Sequence, residues 1–361
     1  MNKNKRIIAI HLPQFYPFKE NDEWWGKGFT EWSNVTKATP RFKGHYQPHL
    51  PTDLGFYDLR LKESRIEQEK LAKEYGIDGF CYYHYWFNGH LIMEKVVEAK
   101  LSNKDEDFPF MFCWANENWH RNWEGGFNTT LIEQNYSKED DIEHFNYLLP
   151  FFKDSRYIKI DGKPVFAIYK IQYIPEIEEM INTFQEQATK NGFELYICKV
   201  EASGCQGEEW MKKGIDASID FQPIHGECIM SKFDNFSANL IHHIFHKDKI
   251  SRRFSYRKLV EKICSHPQNT KYKMYPCCCP SWDNASRRIG RPYTAYIGST
   301  PFLFKKWFKT IYNEFQPFSK EENLIFINAW NEWAEGCHLE PDIKYGRGYL
   351  EAIKEVIYKI V

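Results

Sequence analysis

Short runs of apolar, β-branched and aromatic residues recur along the chain and are separated by longer amphipathic stretches. Runs of this kind, with turn residues at their ends, are typical of strands that are buried on both faces of a parallel sheet. Each of them predicts one buried strand, and the sixth and seventh are the least regular. The eight runs are Ile7–Leu12, Gly79–Tyr85, Phe108–Trp114, Pro164–Tyr169, Glu194–Val200, Asp216–Asp220, Met274–Cys279 and Leu324–Trp330.

Between several of these strands the apolar residues recur at the spacing of an α-helix. One helix face is marked by residues 177 to 188, and Asn191-Gly192 ends the pattern as a helix C-terminus does. The same spacing precedes the last strand and closes the chain. The apolar positions of the three helices are Ile177, Met180, Ile181, Phe184 and Ala188, then Phe304, Trp307, Phe308, Ile311, Tyr312 and Phe315, then Leu350, Ile353, Val356, Ile357 and Ile360.

Eight strands that alternate with helices over 361 residues predict an α/β fold, a single (β/α)8 TIM barrel with loop insertions. A doubly wound open sheet is the alternative. Nucleotide-binding sheets of that type carry a G-x-G-x-x-G or G-x-x-x-x-G-K-[ST] motif, and neither is found here. We therefore expect residues 1–361 to form one catalytic barrel domain.

One segment interrupts the alternation of strands and helices. Residues 239–273 are rich in Lys, Arg and His and are expected to form a basic helical insertion between the sixth and seventh strands. Three interpretations stay open for it. It is a lid, a face that contacts a partner or a membrane surface, or a solvated insertion.

The charge and the hydropathy of the chain limit the classes of protein to which it can belong. The chain has 48 Lys and Arg against 49 Asp and Glu, a balance that argues against a nucleic-acid binder. It has no apolar run long enough to span a membrane. The basic start is followed by an apolar segment, Ile7–Ile10, that is too short for a secretory signal peptide. We expect a cytoplasmic location.

The ten cysteines do not suggest a metal site or a disulfide framework. Cys81, Cys113 and Cys198 fall inside predicted strands, where a free cysteine behaves as a small apolar residue. The run Cys277–Cys279 lacks the paired spacing of zinc ligands. A group of three histidines, at positions 242, 243 and 246, is expected on a solvated helix face. No metal and no cofactor is predicted.

The aromatic content is high, with 28 Phe, 22 Tyr and 12 Trp making up 17% of the chain. Several phenylalanines lie in mid-strand and are expected to fill the core (Phe80, Phe110, Phe112 and Phe166). Many of the tryptophans instead follow strand ends, beside Asn, Glu and His. In a barrel of this type the active site forms at the carboxyl ends of the strands. Aromatic faces beside amides and carboxylates suit a sugar ring, which has an apolar C–H face and polar hydroxyls.

A pair of glutamates follows the last strand. Glu332 and Glu335 stand three residues apart in Trp-Asn-Glu-Trp-Ala-Glu-Gly. Cleavage of a glycosidic bond commonly uses two carboxyl groups, one as acid and one as base or nucleophile. Two like charges in one pocket also raise one pKa, which keeps an acid protonated near neutrality. We predict that both are catalytic, against the alternative of an ordinary helix surface. Glu117 is a second candidate, with an orienting or hydrogen-bonding role as its alternative.

The residues around these strand ends are the predicted sugar contacts. Trp86, Trp119, Trp330 and Trp333 are expected to line the mouth of the barrel. The full set of predicted substrate-binding residues is His11, Gln14, Tyr83, His84, Trp86, Trp114, Asn116, Glu117, Trp119, Trp330, Asn331 and Trp333.

Six consecutive strings carry a resemblance to a known family. The chain resembles the WbsX-type proteins of polysaccharide biosynthesis, which are similar to glycoside hydrolase family 99, the endo-α-mannosidase family. The strings span most of the chain, and the insertion adds little to them. They are His11–Pro17, Asn21–Val35, Gly44–Pro51, Gly79–Phe87, Cys113–Trp119 and Asn328–Gly336.

The resemblance implies a (β/α)8 barrel and retention of anomeric configuration. It implies that Glu332 deprotonates the 2-hydroxyl of the sugar, which attacks the anomeric carbon. It implies that Glu335 protonates the leaving oxygen and then activates water. One position departs from the mannosidase pattern, because Ala334 stands where that family has histidine. Specificity for mannose is therefore not carried over.

Three functions are weighed. The first is a retaining glycoside hydrolase that acts on bacterial surface polysaccharide, such as O-antigen or capsule. The second is a glycosyltransferase or transglycosylase in lipopolysaccharide or capsule biosynthesis. Transferases that use nucleotide sugars often hold a metal ion with an Asp-x-Asp motif. The triplet of this type, Asp105–Asp107, precedes the third strand and is expected to be a surface run at the end of the barrel opposite the active site, which disfavours a nucleotide-sugar transferase. The third, a non-catalytic carbohydrate-binding barrel, leaves Glu332 and Glu335 without a purpose.

Overall fold

A ring of parallel strands forms the centre of the molecule. The computed structural model describes residues 4–120, 129–201, 206–223, 251–265 and 270–360. The strands of the ring are β1 (Arg6–His11), β2 (Gly79–Phe87), β3 (Phe110–Trp114), β4 (Lys163–Ile168), β5 (Tyr196–Val200), β6 (Ala217–Ile219), β7 (Met274–Tyr275 with Cys277–Cys278) and β8 (Leu324–Ile327).

The ring closes through β7, which Pro276 divides into two short pieces because proline has no N–H to donate. The first piece pairs with β6, where Ser218 lies opposite Met274. The second pairs with β8, where Cys277 lies opposite Phe326. Because β8 also pairs with β1, the strands form a barrel. Counting the two pieces of β7 separately gives nine strands on this path. The predicted (β/α)8 barrel is confirmed.

Helices surround the barrel and connect its strands. The helix predicted from residues 177 to 188 is confirmed, and it ends at Asn191 as the pattern indicated. The helices are α1 (Lys19–Trp25), α2 (Glu31–Lys37), α3 (Lys62–Glu74), α4 (Lys95–Ser102), α5 (Lys138–Lys153), α6 (Ile177–Lys190), α7 (Tyr256–Ser265), α8 (Pro301–Glu314) and α9 (Gly348–Tyr358).

The loops contain short 3-10 helices and short strands. Short 3-10 helices occur at Ile171–Tyr173, Glu208–Lys213, Asn284–Arg287 and Trp333–Glu335. Short strands outside the barrel are His90–Ile92, Trp119–His120, Thr130–Ile132, Lys159–Ile160, Arg252–Ser255, Trp282–Asp283, Thr294–Ile297, Asn331–Glu332 and Cys337–His338.

Part of the predicted basic insertion at 239–273 lies outside the described residues, as do His242, His243 and His246. Its described part contains the strand Arg252–Ser255 and helix α7, whose residues Leu259 and Val260 are buried. Among the residues that the structure describes, no helix is both long and apolar enough to cross a membrane.

Aromatic side chains fill the barrel and the space between strands and helices. Phe80, Phe110, Phe112 and Phe166 are fully buried, which confirms their expected place in the core. Phe80 packs its ring against four others, including Trp330 at a centroid distance of 5.1 Å. Aromatic contacts of this kind add to the free energy of burying their apolar surface. Much of the phenylalanine content is therefore core packing.

Buried ion pairs stabilise the end of the barrel opposite the strands' carboxyl ends. Arg65 of α3 donates two hydrogen bonds to Glu106, at 2.9 and 2.7 Å, and both side chains are buried. The expectation of a surface acid run is corrected here. Asp105 and Asp107 are exposed, but Glu106 points inward, because the Arg65 guanidinium offsets the cost of burying its charge.

Phe80→Ala is expected to lower the free energy of unfolding by about 3–5 kcal/mol, because it leaves a cavity among rings that cannot close around it. Urea unfolding followed by far-ultraviolet circular dichroism measures the change. Phe302→Ala is the matched control, since Phe302 on α8 is 74% exposed and its loss leaves no cavity. Equal unfolding midpoints for the two variants would contradict the assignment of Phe80 to the core.

Candidate active site at the carboxyl ends of the strands

A cleft of about 260 Å³ opens where the strands end. Residues within β2 and residues that follow β1, β3, β4, β6, β7 and β8 contribute to its wall, as expected for the catalytic face of such a barrel. Its lining consists of Leu12, Gln14, Tyr83, Tyr85, Ala115, Glu117, Asn118, Trp119, His120, Tyr169, Phe221, Trp282, Arg287, Glu332 and Glu335.

A tight hairpin carries Glu332 and Glu335 into this cleft. Its strands Asn331–Glu332 and Cys337–His338 pair in antiparallel fashion, and a 3-10 turn joins them. Gly336 ends the turn at φ +55°, and a Cβ atom there would lie 3.2 Å from the Cβ of Asp283. Glycine is therefore the residue that this turn accepts, because it allows both the backbone conformation and the close approach.

Arg287 joins three carboxylates at the floor of the cleft. Its Nη1 donates to Glu335 Oε1 at 2.7 Å, and its Nη2 donates to Glu332 Oε2 at 2.8 Å. The same Nη2 donates to Glu31 Oε1 at 2.5 Å. Both predicted catalytic carboxylates therefore converge on one guanidinium, rather than pointing to opposite sides of the rim. We call Arg287, Glu31, Glu332 and Glu335 the carboxylate cluster.

Glu31 connects a distant helix to the hairpin. It is the first residue of α2 and its side chain is fully buried. Its Oε1 also accepts a hydrogen bond from the backbone N–H of Ala334 at 3.2 Å, in the turn between the two predicted catalytic residues. Glu31 therefore positions the turn as well as the guanidinium.

Burial and like charges raise the pKa values of the cluster's carboxyl groups. Burial raises the pKa of Glu332 to about 8, although Arg287 opposes the rise, and Glu335 and Glu31 add to it. Burial also raises the pKa of Glu335, with Arg287 opposing the rise and Glu31 adding to it. Burial works against the charge of Arg287, yet the neighbouring carboxylates hold its pKa above the ordinary value. The cluster thus retains a proton near neutral pH beside a permanent cation.

Four further predicted contacts line the cleft with the two glutamates. They are Gln14, Tyr83, Glu117 and Trp119. The carboxylate of Glu117 lies 3.6 Å from the Lys170 ammonium. The indole of Trp119 stacks on Trp24 at a centroid distance of 6.4 Å and is half-buried. Trp119 therefore offers an aromatic surface at the cleft.

Three residues of the predicted set lie on the outer face of the barrel instead. His84, Trp86 and Trp114 surround His144 of α5, and the Trp86 indole stacks on its ring at 4.8 Å. Trp86 Nε1 donates to Asp140 Oδ1 at 2.9 Å. Side chains alternate between the two faces of a strand, so Tyr83 and Tyr85 face the cleft while His84 and Trp86 face the helix. The prediction that His84, Trp86 and Trp114 touch sugar is corrected accordingly.

A hydrogen-bonded network beneath the hairpin holds three more of the predicted residues, and Trp330 packs beside them. His11 Nε2 lies 3.2 Å from Gln68 Oε1. Trp333 Nε1 donates to Glu340 Oε2 at 2.6 Å, and Gln68 donates to the other oxygen of that carboxylate at 2.7 Å. The Asn331 side chain accepts a hydrogen bond from the backbone N–H of Leu12 through Oδ1 and donates one to the Leu12 carbonyl through Nδ2.

None of these four side chains lines the cleft. Trp330 is fully buried against Phe80, and His11, Asn331 and Trp333 are at most 1% exposed. The expectation that Trp330 and Trp333 line the mouth is corrected, because a tryptophan that is packed on all sides has no face left for a sugar. These side chains support the hairpin from below.

Asn116 borders a neighbouring cavity of about 570 Å³ that shares Glu117, Asn118 and His120 with the cleft. Its amide donates to the carbonyl of Lys170 at 2.8 Å and so fixes the loop after β4. The two cavities adjoin along this side of the barrel mouth.

Sequence reasoning missed several residues of the site. Glu31 and Arg287 belong to the carboxylate cluster, and Tyr85, Tyr169 and Trp282 line the cleft. Strand alternation pointed to Tyr85, because it stands two residues after Tyr83. Arg287 lies 256 residues from Glu31 in the chain and belongs to no recognisable motif, so only the folded chain brings them together.

Comparison with known proteins is consistent with this geometry. The family described as "Glycosyltransferase WbsX" matches residues 7–353. The protein WxcX of Xanthomonas campestris pv. campestris (strain B100) is 35% identical over 353 residues, which are 97% of this chain and 49% of that protein. WxcX of a second strain gives the same identity over 355 residues. The chain spans about half the length of these curated relatives.

Solved structures share the fold. A glycoside hydrolase-like protein aligns with a TM-score of 0.62 and 14% identity, covering 99% of this chain and 94% of that one. The GH99 endo-α-mannosidase of Bacteroides thetaiotaomicron aligns with a TM-score of 0.56 and 14% identity, covering 98% and 96%.

Glu332→Gln is expected to flatten the pH dependence of stability. The pKa of Glu332 is about 8 in the folded chain, whereas an unfolded glutamate titrates near about 4.3. Between these values the folded state binds more protons, so the free energy of unfolding falls as pH rises, by at most about 1.4 kcal/mol per pH unit. The amide cannot titrate, so the variant gains stability relative to the wild-type chain over that range.

Urea unfolding at a series of pH values measures this difference. Glu261→Gln is the control, because Glu261 is exposed on α7 and its loss is expected to leave the slope unchanged. Parallel pH profiles for Glu332→Gln and the wild-type chain would contradict the prediction.

Proposed function

The chain belongs to the WbsX glycosyltransferase family, and from that premise we propose that it is a carbohydrate-active enzyme that acts on a polysaccharide. The observation that carries the proposal is the pair Glu332 and Glu335, held on Arg287 inside an aromatic cleft at the carboxyl ends of the barrel strands. A binding module needs the aromatic wall but has no use for buried carboxylates that retain a proton.

The wall of the cleft suits a sugar ring. Tyr83, Tyr85, Tyr169 and Trp119 supply aromatic surface, which packs against the apolar C–H face of a pyranose. Gln14, Asn118 and Glu117 supply amide and carboxylate groups for its hydroxyls. The adjoining cavity past Asn116 has room for neighbouring residues of a polymer.

The charge balance of the carboxylate cluster provides both an acid and a base. Arg287 offsets the charge of one carboxylate, Glu31, which is fully buried and bonded to the hairpin backbone. Of the two remaining carboxyl groups, mutual repulsion and burial keep one protonated and leave the other ionised. One proton shared by two carboxyls at a sugar is the arrangement that glycosidic bond cleavage requires.

We propose that the reaction is hydrolysis with retention, assisted by the sugar's own 2-hydroxyl. The mechanism of the similar GH99 family makes Glu332 the base for that hydroxyl and Glu335 the acid for the leaving oxygen and then the base for water. The GH99-like barrel supports this assignment. This step requires an ionised Glu332 and the cluster's proton on Glu335, although burial raises the pKa of Glu332 to about 8 in the chain without substrate, so substrate binding has to shift the proton to Glu335. The O–H proton then passes to Glu332 as the hydroxyl oxygen attacks, and the Glu335 proton passes to the departing oxygen. Water then gives a proton to Glu335 and attacks the anomeric carbon, the bond from that carbon to the 2-oxygen breaks, and Glu332 returns its proton to the 2-oxygen.

Mannose is not proposed as the sugar. Ala334, where the mannosidase family has histidine, is fully buried and its carbonyl accepts a hydrogen bond from Ser286 Oγ. No imidazole is available from this position to select a sugar hydroxyl. We propose bacterial surface polysaccharide, O-antigen or capsule, as the substrate class.

Transfer to a sugar acceptor is the second candidate. The description of the family as a glycosyltransferase favours it. The same two carboxyl groups serve this reaction when an acceptor hydroxyl replaces water in the second step. A lipid-linked or polymeric donor fits this alternative, since neither needs the acidic metal-binding triplet of many nucleotide-sugar enzymes.

Glu335→Gln is expected to lower kcat at least about 100-fold, because the amide cannot protonate the leaving oxygen. Turnover of purified surface polysaccharide measures the loss. An aryl glycoside with an acidic phenol is expected to recover much of the rate, since its leaving group needs no proton. Near-wild-type turnover, or an equal loss on both substrates, would contradict the role of Glu335 as the acid.

Purified polysaccharide incubated with the protein is expected to release reducing ends without any nucleotide sugar. Glu332→Gln is the negative control, because it retains the cleft but removes the base. Products that grow or exchange chains, with no net gain of reducing ends, would favour the transferase. Strict dependence on a nucleotide sugar would overturn hydrolysis.

A further inference from the structure

A second cavity lies behind the hairpin that carries Glu332 and Glu335. It has a volume of about 210 Å³ and is separate from the cleft, although Trp282 borders both. Its wall comes from the long segment between β1 and α3, from residues 281–300 after β7, and from the hairpin and the chain after it. Two histidines and an aspartate meet there, namely His49, His338 and Asp342.

These three side chains are packed at the spacing of metal ligands. His49 Nδ1 lies 2.9 Å from His338 Nε2, and His338 Nε2 lies 4.0 Å from Asp342 Oδ2. One ligand atom from each residue falls within 4.8 Å of the other two. Ligand atoms of a tetrahedral ion with bonds of about 2.0–2.1 Å stand about 3.3 Å apart, between the two measured distances.

The neighbours of the cluster orient its ligand atoms inward. His338 Nδ1 lies 2.9 Å from the carbonyl oxygen of Glu340, which can only accept, so Nδ1 carries the proton and Nε2 presents a lone pair. Asp342 Oδ1 accepts from the backbone N–H of Tyr345 at 2.6 Å, and Oδ2 accepts from Tyr46 O–H at 3.1 Å. Metal sites use partners of this kind to fix imidazoles and carboxylates, and His338 and Asp342 each have one, while His49 Nδ1 faces His338 Nε2 directly.

The cluster is deeply buried. The exposed fractions of His49, His338 and Asp342 are 7%, 1% and 2%. Lys344, which borders the same cavity, directs its ammonium over the rings of Tyr46 and Tyr345 and makes no ion pair with Asp342 among those found in the described residues. A bound cation would compensate the charge of the buried carboxylate and satisfy the two imidazoles at once.

We propose that His49, His338 and Asp342 bind a divalent transition-metal ion, with Zn²⁺ as the ion that best fits two imidazoles and one carboxylate. The cavity leaves the fourth coordination position to water or to a small ligand. The proposed ion stabilises the hairpin from outside the cleft and does not contact the substrate. It ties the segment around His49 to the hairpin, because His338 lies in the strand that pairs with Glu332 and its ring stacks on Trp333 at 3.7 Å.

The sequence hides such a site. His49 is 289 residues from His338, and only His338 and Asp342 are close along the chain. No paired-cysteine or histidine motif marks it, which is why metal was not predicted from the sequence.

Metal binding is measured on the full chain after removal of any histidine tag and dialysis against a chelator. We expect about one Zn²⁺ per chain by inductively coupled plasma mass spectrometry after equilibration with the metal. Titration with Co²⁺ is expected to give the visible absorption of a tetrahedral ion with nitrogen and oxygen ligands. Absence of stoichiometric binding of Zn²⁺ or Co²⁺ would overturn the proposal and leave a hydrogen-bonded histidine pair.

Substitutions locate the site. His49→Gln and Asp342→Asn keep the side-chain volume and are expected to weaken Zn²⁺ binding at least about 100-fold, while Tyr46→Phe, which removes only a partner of Asp342, is expected to weaken it about 10- to 100-fold. His90→Ala is the matched control, since His90 is exposed outside the cluster. Undiminished binding in His49→Gln and Asp342→Asn would overturn the assignment, and circular dichroism verifies that each variant is folded.

Discussion

The three hydrogen bonds of Arg287 to Glu31, Glu332 and Glu335 are the interaction on which the site depends. Without a cation at that point, three carboxyl groups would crowd into a buried corner of the barrel mouth, and each would have to be protonated or leave. With it, the turn after β8 is drawn against helix α2, and Glu31 fixes the backbone of Ala334 between the two predicted catalytic residues. The same contacts hold the carboxylates near one another and set how readily they give up a proton.

The barrel could be predicted from the sequence because each strand is marked by its own apolar run. Strands that are buried on both faces need continuous apolar runs, and these runs were found at the positions of the strands, including the two irregular ones. The division of β7 at Pro276 was harder to predict, since closure of the ring depends on which strands the two pieces pair with. Pairing over long separations is a property of the folded chain.

The site was predictable only in part, for two physical reasons. First, residue type and position at a strand end located Glu332, Glu335 and Trp119 at the cleft, but they did not determine which way a side chain faces. His84 and Trp86 alternate with Tyr83 and Tyr85 along one strand, and a shift by one position exchanges cleft and core. Second, Glu31 lies 256 residues from Arg287 and 303 residues from Ala334, and a single sequence carries no sign of such pairings.

The network under the hairpin has a consequence for how functional screens of this protein are interpreted. Glu340 accepts hydrogen bonds from Trp333, Gln68 and Tyr57, so the layer beneath the hairpin is a set of polar groups that depend on one another for their hydrogen bonds. A saturation-mutagenesis map scored by activity would therefore mark this layer as strongly as the reacting carboxylates. Only a map scored in parallel for folded abundance would separate the residues that perform chemistry from those that hold them in place.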